Sequence, residues 1–447
     1  MKNIAIIGAG LTGLTTAFYL KKYGFNVCVY EKTDRCGGAM HTLHQDGFSF
    51  EAGPTTGVIN SPEVFELFED LNILDKINYA DENAKKRLIW KNNSFHPLPS
   101  GPFSAISTPL FSLKDKIKVL FEPFISKGNN EHENLALLVK RRLGTSFLNY
   151  AIDPFIGGIY AGNPKNLIPK YALPKLYNLE QEYGSFIKGA FAKARKKKND
   201  REKKASKKMF SFYGGFSSLI NELVANIGEE NILTQQKELK IEKQDDKYII
   251  NKESYDLIVS ACPSTGFKES FAFLNEDEID KLTNIKYAPV VQIALGFKNW
   301  DGIDLNAFGA LVPSIEKRNV LGILFTSSFL KDRAPKDSIL LSIFMGGTRN
   351  EAITKEDDDI ILKKAIEEVN SMLKPKNAEI NLSHIFRHKY AIPQYEITSK
   401  ERFQAIKEIE NKYSNFFVGG NIHNGIGIGD RIKQGNNIAN KIASLNK

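Results

Sequence analysis

Cysteine is scarce in this 447-residue chain: Cys28, Cys36 and Cys262 are all it has. Their spacing suggests neither a zinc site nor a disulfide framework, so they are expected to be small buried side chains and no metal site is expected. No apolar run approaches the length needed to cross a bilayer. Met1-Lys2-Asn3 leads straight into an apolar strand-like run, so no leader is expected and the chain is expected to stay in the cytoplasm. Repeats are lacking too, as is any evident catalytic triad. Excess charge is lacking from most of the chain. The formal net charge is +9, but the segment 193–208 (KARKKKNDREKKASKK) holds ten Lys/Arg and two acids and so supplies +8 of it. Such a run is expected to be a solvated, mobile loop, with an anionic membrane surface the next reading. It carries no interleaved aromatics for base stacking, so nucleic acid is not an expected partner.

What is present begins with KNIAII (Lys2–Ile7), then Gly8-Ala9-Gly10-Leu11-Thr12-Gly13, then LTTAFYLKKYG with helical spacing at Leu14, Ala17 and Phe18. This reads as strand, glycine turn and helix. Gly8 permits the sharp turn, Gly10 lets main chain approach a pyrophosphate, and Gly13 lets the helix pack on the strand. Asn26–Tyr30 (NVCVY) reads as a second strand ending at Glu31, an acid about 20 residues on, where a ribose hydroxyl is accepted. A carboxylate there repels a 2′-phosphate, which disfavours NADP.

The stretch Arg35-Cys36-Gly37-Gly38, Thr42 and Asp46 to Gly53-Pro54 resembles the second flavin-contacting segment of the amine-oxidase-like flavoproteins. Glycines at 37 and 38 let main chain pass a cofactor with no side chain intervening. Two distant segments fit the same cofactor: FYGGFSSL (212–219) with the buried strand ending at Ala261-Cys262-Pro263, and FFVGGN (416–421) running through Gly425-Ile426-Gly427-Ile428 into a final helix. By this resemblance Gly8, Gly10, Leu11, Thr12, Gly13, Glu31, Arg35, Gly37, Gly38, Thr42, Gly53, Pro54, Ala261, Gly420, Asn421, Gly425, Gly427 and Ile428 hold a noncovalent FAD.

The middle of the chain narrows the resemblance. IDPFIGGIYAGNP (152–164), RLIW (87–90) with HPLPSG (96–101), AFGALVPS (307–314), LGILFTSS (321–328), RAP (333–335) and FMGG (344–347) are similar to segments of the oxygen-dependent protoporphyrinogen oxidase family. That similarity spans nearly the whole chain and is weakest at about 103–140 and in the basic run. It implies oxidation of protoporphyrinogen IX to protoporphyrin IX in haem biosynthesis. Hydride passes from methylene bridges to flavin N5, and oxygen is the acceptor that reoxidises the flavin. Arg87 is implied to hold a substrate propionate, Leu311, Leu324 and Phe344 to sandwich the macrocycle, and Gly158 to turn its carbonyl to the reacting position. His423, in the flavin-facing turn, is not implied as a general base. Coproporphyrinogen III oxidation is the alternative substrate reading, followed by a flavin amine oxidase or carotenoid desaturase and by a catalytically silent flavoprotein.

A mixed α/β fold is expected: a Rossmann-like FAD domain of the glutathione-reductase/amine-oxidase type from 1–59, 209–280 and 381–447, a substrate domain with an antiparallel sheet from 60–90 and 281–380, and a helical, membrane-facing domain from 91–208. Ile117, Leu120, Phe121 and Phe124 follow an i, i+3, i+4, i+7 stripe beside Lys114, Lys116 and Lys118, although Pro123 limits the helix. The stripe packs either on the protein's own core or on a membrane surface. A homodimer is compatible with the resemblance.

Overall fold

A computed structural model describes residues 2–445. The expected domain ends at 1 and 447 lie outside them. The first glycine turn follows Asn3–Ile7, the central strand of a five-stranded parallel sheet. Its neighbours are Asn26–Tyr30, with Ile232–Leu233 beyond, and Leu257–Ser260, with Phe416–Val418 beyond. Ile4 and Ile6 face one core, under the helices Leu11–Lys22, Phe216–Ile227 and Ile428–Leu445. Ala5 and Ile7 face another, shared with Tyr248 and Ile250 of a three-stranded antiparallel sheet. Both faces are covered, so the strand reads as a continuous apolar run rather than an alternation.

The second large unit is a seven-stranded sheet. Its order is Glu379–Pro393, Tyr287–Lys298, Ser338–Gly346, Val320–Leu324, Gly309–Leu311, Arg87–Lys91 and Ser94–Pro97. All pairings are antiparallel except that of Gly309–Leu311 with Arg87–Lys91. Along Tyr287–Lys298 the odd positions Val291, Ile293 and Leu295 enter a core with Leu341, Ile343 and Met345, closed by the helix Asp358–Leu373. The even positions therefore look the other way, where Ala294 packs with Phe48 and Phe50 and Gln292 reaches Glu51.

Three expected boundaries move. Glu379–Pro393 is the edge strand of the seven-stranded sheet, so 381–393 does not belong with the FAD unit. Its pairing partner lies some 90 residues upstream, and nothing local marks the change of unit. Conversely, the helix Pro62–Asp70 places Val64, Leu67 and Phe68 in the first core beside Ile4 and Ile6, because it packs on the C-terminal helix. Strand Ser94–Pro97 likewise takes 94–97 away from the helical segment.

The helical segment runs from about 102 to 203. Its buried tie is ionic. The Arg142 guanidinium donates to Glu122 at 2.9 Å and to Glu180 at 2.5 Å, and all three side chains are at most 1% exposed. Arg141 adds bridges to Glu133 and Glu180 at 2.7 and 2.9 Å. The basic run departs from expectation in this region. Lys193 and Arg195 end a helix, Phe186–Arg195, and Asp200–Lys203 forms a further turn capped by Asn199. Arg201 bridges Glu63 and Glu66, and Lys204 bridges Glu69. Three glutamates on one face of the 62–70 helix thus bridge two of the run's ten cations and tie the run down at 201–204. The three cysteines are half-buried rather than buried. Cys28 lies on the strand next to the short edge strand, and Cys36 and Cys262 lie in turns.

Removing one member of a buried ion cluster strands the others in low dielectric, at a cost of about 3–5 kcal/mol. R142A is expected to lower the unfolding free energy by that amount in urea denaturation. A loss below about 1 kcal/mol would show that the cluster does not hold the helical segment.

Candidate active site

The first two glycine segments meet through main chain. Gly37 N–H donates to Ala9 O at 2.8 Å, and Gly10 and Gly37 pair as a short parallel bridge. The glycines divide by what an added Cβ would meet. At Gly13 it would lie 2.0 Å from Gly8 O, and at Gly53 2.2 Å from Ala39 O, so these glycines serve close packing within the protein. Gly8 and Gly37 have φ of +106° and +103°, a region closed to most side chains. Gly10 is different: a Cβ there meets nothing within 4 Å. It would project into an open cleft at the start of the helix Leu11–Lys22, whose first turn has no acidic residue and no side-chain cap. Free helix amides beside a side-chain-free turn suit a pyrophosphate, so the residues present fit a dinucleotide cofactor.

Glu31 follows the second strand and is buried. Its carboxylate accepts Ala9 N–H at 2.8 Å and Thr33 N–H at 2.9 Å, which anchors it beside the turn. Arg35 folds back on its own turn and donates to Gly38 O at 2.9 Å. Thr42 has a task inside the protein: its hydroxyl donates to Glu51 at 2.8 Å and accepts Ser217 N–H at 3.1 Å, tying the Gly53-Pro54 segment to the 216–227 helix. Ala261 N–H donates to Ile7 O at 2.8 Å, which fixes the end of its strand beside the first turn. Leu11 and Thr12 are buried at the head of the first helix, and Ile428 packs in the same core.

The C-terminal turn joins through side chains. Thr12 Oγ1 lies 3.4 Å from Gln434 Oε1, which accepts Gly420 N–H at 2.8 Å. Gly420 and Gly425 have φ of +90° and +95°. Tyr395 hydroxyl lies 2.9 Å from the carbonyl oxygens of Asn421 and Gly425. Gly427 N–H donates to Asp430 at 3.1 Å. His423 is half-buried and sits 3.2 Å from Gln434 Nε2, and burial with Arg431 and Arg402 nearby lowers its pKa to about 3. It is a neutral imidazole at physiological pH and no proton reservoir.

The sheet register gathers the substrate candidates. One rung runs Gln292, Phe344, Gly322, Leu311, Ile89 and the next Ala294, Ser342, Leu324, Gly309, Arg87. Residues two apart on a strand share a face, so Arg87, Leu311, Leu324 and Phe344 lie together on the face opposite the 358–373 helix. Leu311, Leu324 and Phe344 are half-buried, while the residues on either side of each along its strand are buried. Gly322 and Gly309 interrupt the two rungs, where a Cβ would meet main chain of the next strand, Ala310 O at 2.7 Å and Ile323 O at 2.4 Å. Arg87 is exposed, 5.9 Å from the Phe308 ring centroid and 3.6 Å from Met209 Sδ. Among the described residues no carboxylate bridges it.

Gly158 stands against this face. It lies in the last turn of the helix Asp153–Tyr160, and a Cβ there would meet Leu311 Cδ2 at 2.7 Å. Left-handed Ala161 closes the helix onto Gly157 O, so the Gly158 carbonyl is past the last one used within the helix. A wide π-type turn, Leu148–Ile152, precedes it, and Asp153 is held by Ser314 N–H at 2.8 Å and Arg349 at 2.5 Å. Gln292 joins the two halves, donating to Glu51 O at 2.8 Å, two residues before Gly53. Gln292 and Arg431 were missed in the sequence. Each had a signal: a lone amide inside the apolar run VVQIAL, and a cation in a first helical turn, where the dipole disfavours it.

The chain matches the family model described as flavin containing amine oxidoreductase over residues 11–443. It is 29% identical to "Protoporphyrinogen oxidase 2, chloroplastic/mitochondrial" of Arabidopsis thaliana, with 99% of this chain and 94% of that protein covered. It is 24% identical to "Coproporphyrinogen III oxidase" of Bacillus subtilis (strain 168), with 97% and 96% covered. The fold is similar to a crystal structure of a candidate protoporphyrinogen oxidase from Exiguobacterium sp. 255-15, with TM-score 0.83, 20% identity and 99% of each chain covered.

The contrast between Gly10 and Gly13 is testable with alanine. G10A is expected to melt like the wild-type apoprotein yet lose FAD affinity by tenfold or more, since its methyl enters only the cofactor cleft. G13A is expected to lose both, because its methyl strikes Gly8 O. Calorimetry of the apoproteins with FAD titration separates them; equal melting losses in the two variants would contradict the assignment.

Proposed function

The chain belongs to the flavin containing amine oxidoreductase family, and we propose that it is an FAD enzyme that oxidises protoporphyrinogen IX to protoporphyrin IX. The observation that carries this reading is the pair of sheet rungs: an apolar face, edged by an unpaired guanidinium, that adjoins the Gly53-Pro54 segment through Gln292. A porphyrinogen is flat, mostly apolar and edged by carboxylates, and the face matches each property. FAD, when bound, supplies a two-electron acceptor for the hydride of a methylene bridge.

The chain's own part is placement. Leu311, Leu324 and Phe344 take the pyrrole faces out of water, each at about 1.5–3 kcal/mol when fully covered. Arg87 offers two parallel N–H donors to a propionate, which fixes the macrocycle's rotation in the slot. Gly158 brings main chain, and no side chain, to the rim of the face beside Leu311. The pyrrole nitrogens stabilise the positive charge left on the substrate, so the slot needs geometry more than a strong base, and neutral His423 suits that need. Coproporphyrinogen III is the second substrate reading, favoured by the similarity to the Bacillus subtilis enzyme of that name. Oxygen as acceptor is part of the proposal.

The proposal extends to a peripheral membrane surface. Leu113–Leu120 is a helix, and Pro123 turns the chain into a short 3-10 turn at Glu122–Phe124. Leu120 and Phe124 are 72% and 81% exposed, and Phe103, Ile106, Leu113, Phe121 and Phe191 are exposed as well. Lys188 Nζ stands 6.0 Å from the Phe124 ring, and Lys116 ties the 113–120 helix to Ile106 O at 2.6 Å. Apolar side chains with lysines beside them suit an anionic lipid surface, each near-surface cation adding about 1 kcal/mol. No described helix is long and apolar enough to cross a membrane.

R87A is expected to retain FAD and to weaken porphyrinogen binding about tenfold or more, in line with the loss of a charge-assisted pair. Anaerobic titration of the bound flavin's absorbance with protoporphyrinogen IX and coproporphyrinogen III measures this, and an unaltered dissociation constant would remove Arg87 from the site. Tighter binding and faster flavin bleaching with coproporphyrinogen III would select the second reading. For the surface, co-sedimentation with phosphatidylglycerol vesicles is expected at low salt and is expected to be lost in L120D/F124D with FAD retained. Wild-type protein that stays in the supernatant at every salt concentration would sink that part.

A further inference from the structure

The 420–427 turn rests on two buried guanidinium groups. Arg431 is 9% exposed and donates to His423 O and Asn424 O at 3.0 Å, to Gly425 O at 2.8 Å, to Gln434 at 2.7 Å, and at short range to Gly420 O. Its Nε is buried and has no hydrogen-bond partner among the described residues. Arg402 is fully buried and donates to Ile422 O at 2.9 Å, Ser399 Oγ at 2.9 Å and Asn284 O at 3.4 Å. Five carbonyls of one turn, those of 420, 422, 423, 424 and 425, therefore point at cations. Neither guanidinium is bridged to a carboxylate among the described residues. The adjacent acid, Asp430, is occupied by Gly427 N–H at 3.1 Å and by Asn60 at 3.3 Å.

This arrangement is costly. A buried charge without a counter-ion is disfavoured by several kcal/mol unless something nearby repays it. Burial lowers the proton affinity of both groups, of Arg402 to about 10; a guanidinium nevertheless keeps its proton in proteins. Arg431 also stands in the first turn of the 428–445 helix, whose positive dipole end repels it. The same turn faces the first glycine turn, through Thr12, Gln434 and Gly420. The charge thus accumulates where the family's cofactor is held.

We propose that Arg431, supported by Arg402, positions the 420–427 turn and supplies a fixed positive potential that favours the reduced, anionic flavin over the oxidised one. This rests on the flavoenzyme reading above. Carbonyl ligation holds the guanidinium in place, so its field is fixed before any electron arrives and needs no reorganisation. Two electrons and one proton added to FAD leave a net negative ring, and the buried cations offset that charge; no other reactant is needed.

The test is the two-electron reduction potential of the bound FAD in holoenzyme without porphyrinogen. R431Q retains an amide donor for the carbonyls and loses the charge. It is expected to lower the preference for reduced over oxidised FAD about tenfold, a shift of about 30 mV to more negative potential for a two-electron couple. R402Q is expected to shift it in the same direction by less, since its carbonyl partner in the turn is Ile422 alone. R431Q holoenzyme with the wild-type potential would overturn the inference, because a merely structural arginine would change melting temperature and not potential. Should R431Q emerge without FAD, R402Q decides by the same reading. FAD lost from both variants at unchanged melting temperature would make the pair binding residues and overturn the electrostatic assignment. Wild-type protein that holds no FAD contradicts the flavoenzyme reading instead.

Discussion

A single main-chain contact organises the cofactor side of this molecule: the approach of the Gly37 segment to the first turn, with its N–H on Ala9 O at 2.8 Å. Two backbones pair there only because Gly8 and Gly37 adopt left-handed conformations and because Gly13 and Gly53 carry no Cβ in the way. Side chains at those positions would separate the segments and open the cleft beside Gly10. The remaining structure serves to hold this approach. Glu31 anchors the turn from one side, Thr42 and Glu51 from the other, and the C-terminal turn closes over it through Gln434.

The substrate side is built on a different principle. A seven-stranded sheet buries one face under the 358–373 helix and turns its other face toward Glu51 of the cofactor unit. Pleating then does the selecting: two neighbouring rungs carry the apolar side chains, two glycines and Arg87 on one face. Gln292 is the hinge of the arrangement, because its amide bonds to Glu51 O and sets how the face meets the flavin segment. The 153–160 helix brings Gly158 against this face, and Asp153, held by Ser314 N–H and Arg349, fixes that helix.

Much of the cofactor side was legible in the sequence because its constraints are local. A glycine turn, a strand and an acid at the second strand's end fall within some thirty residues and need no knowledge of distant pairing. The candidate substrate residues were reached only by resemblance. Their coplanarity depends on register among strands between 87 and 346, and composition carries no record of register. The same blindness explains the misread segments. The basic run is tied down at Arg201 and Lys204 by Glu63, Glu66 and Glu69, more than a hundred residues upstream, and the 379–393 strand finds its partner at 287–298. For the apolar stripe, sequence left packing and exposure open, and the structure leaves Leu120, Phe121 and Phe124 in solvent.

The central claim is spatial: glycine-bearing main chain from three separated segments encloses a flat cofactor, and the two-rung face lies in front of it. A crystal structure of the FAD-reconstituted protein with a porphyrin product tests it most directly. The account predicts a pyrophosphate over Gly10 and the start of the first helix, the isoalloxazine beside the 420–427 turn, and a porphyrin on Leu311, Leu324 and Phe344 with a propionate on Arg87. FAD bound away from Gly10, or a porphyrin on any other surface, would contradict it.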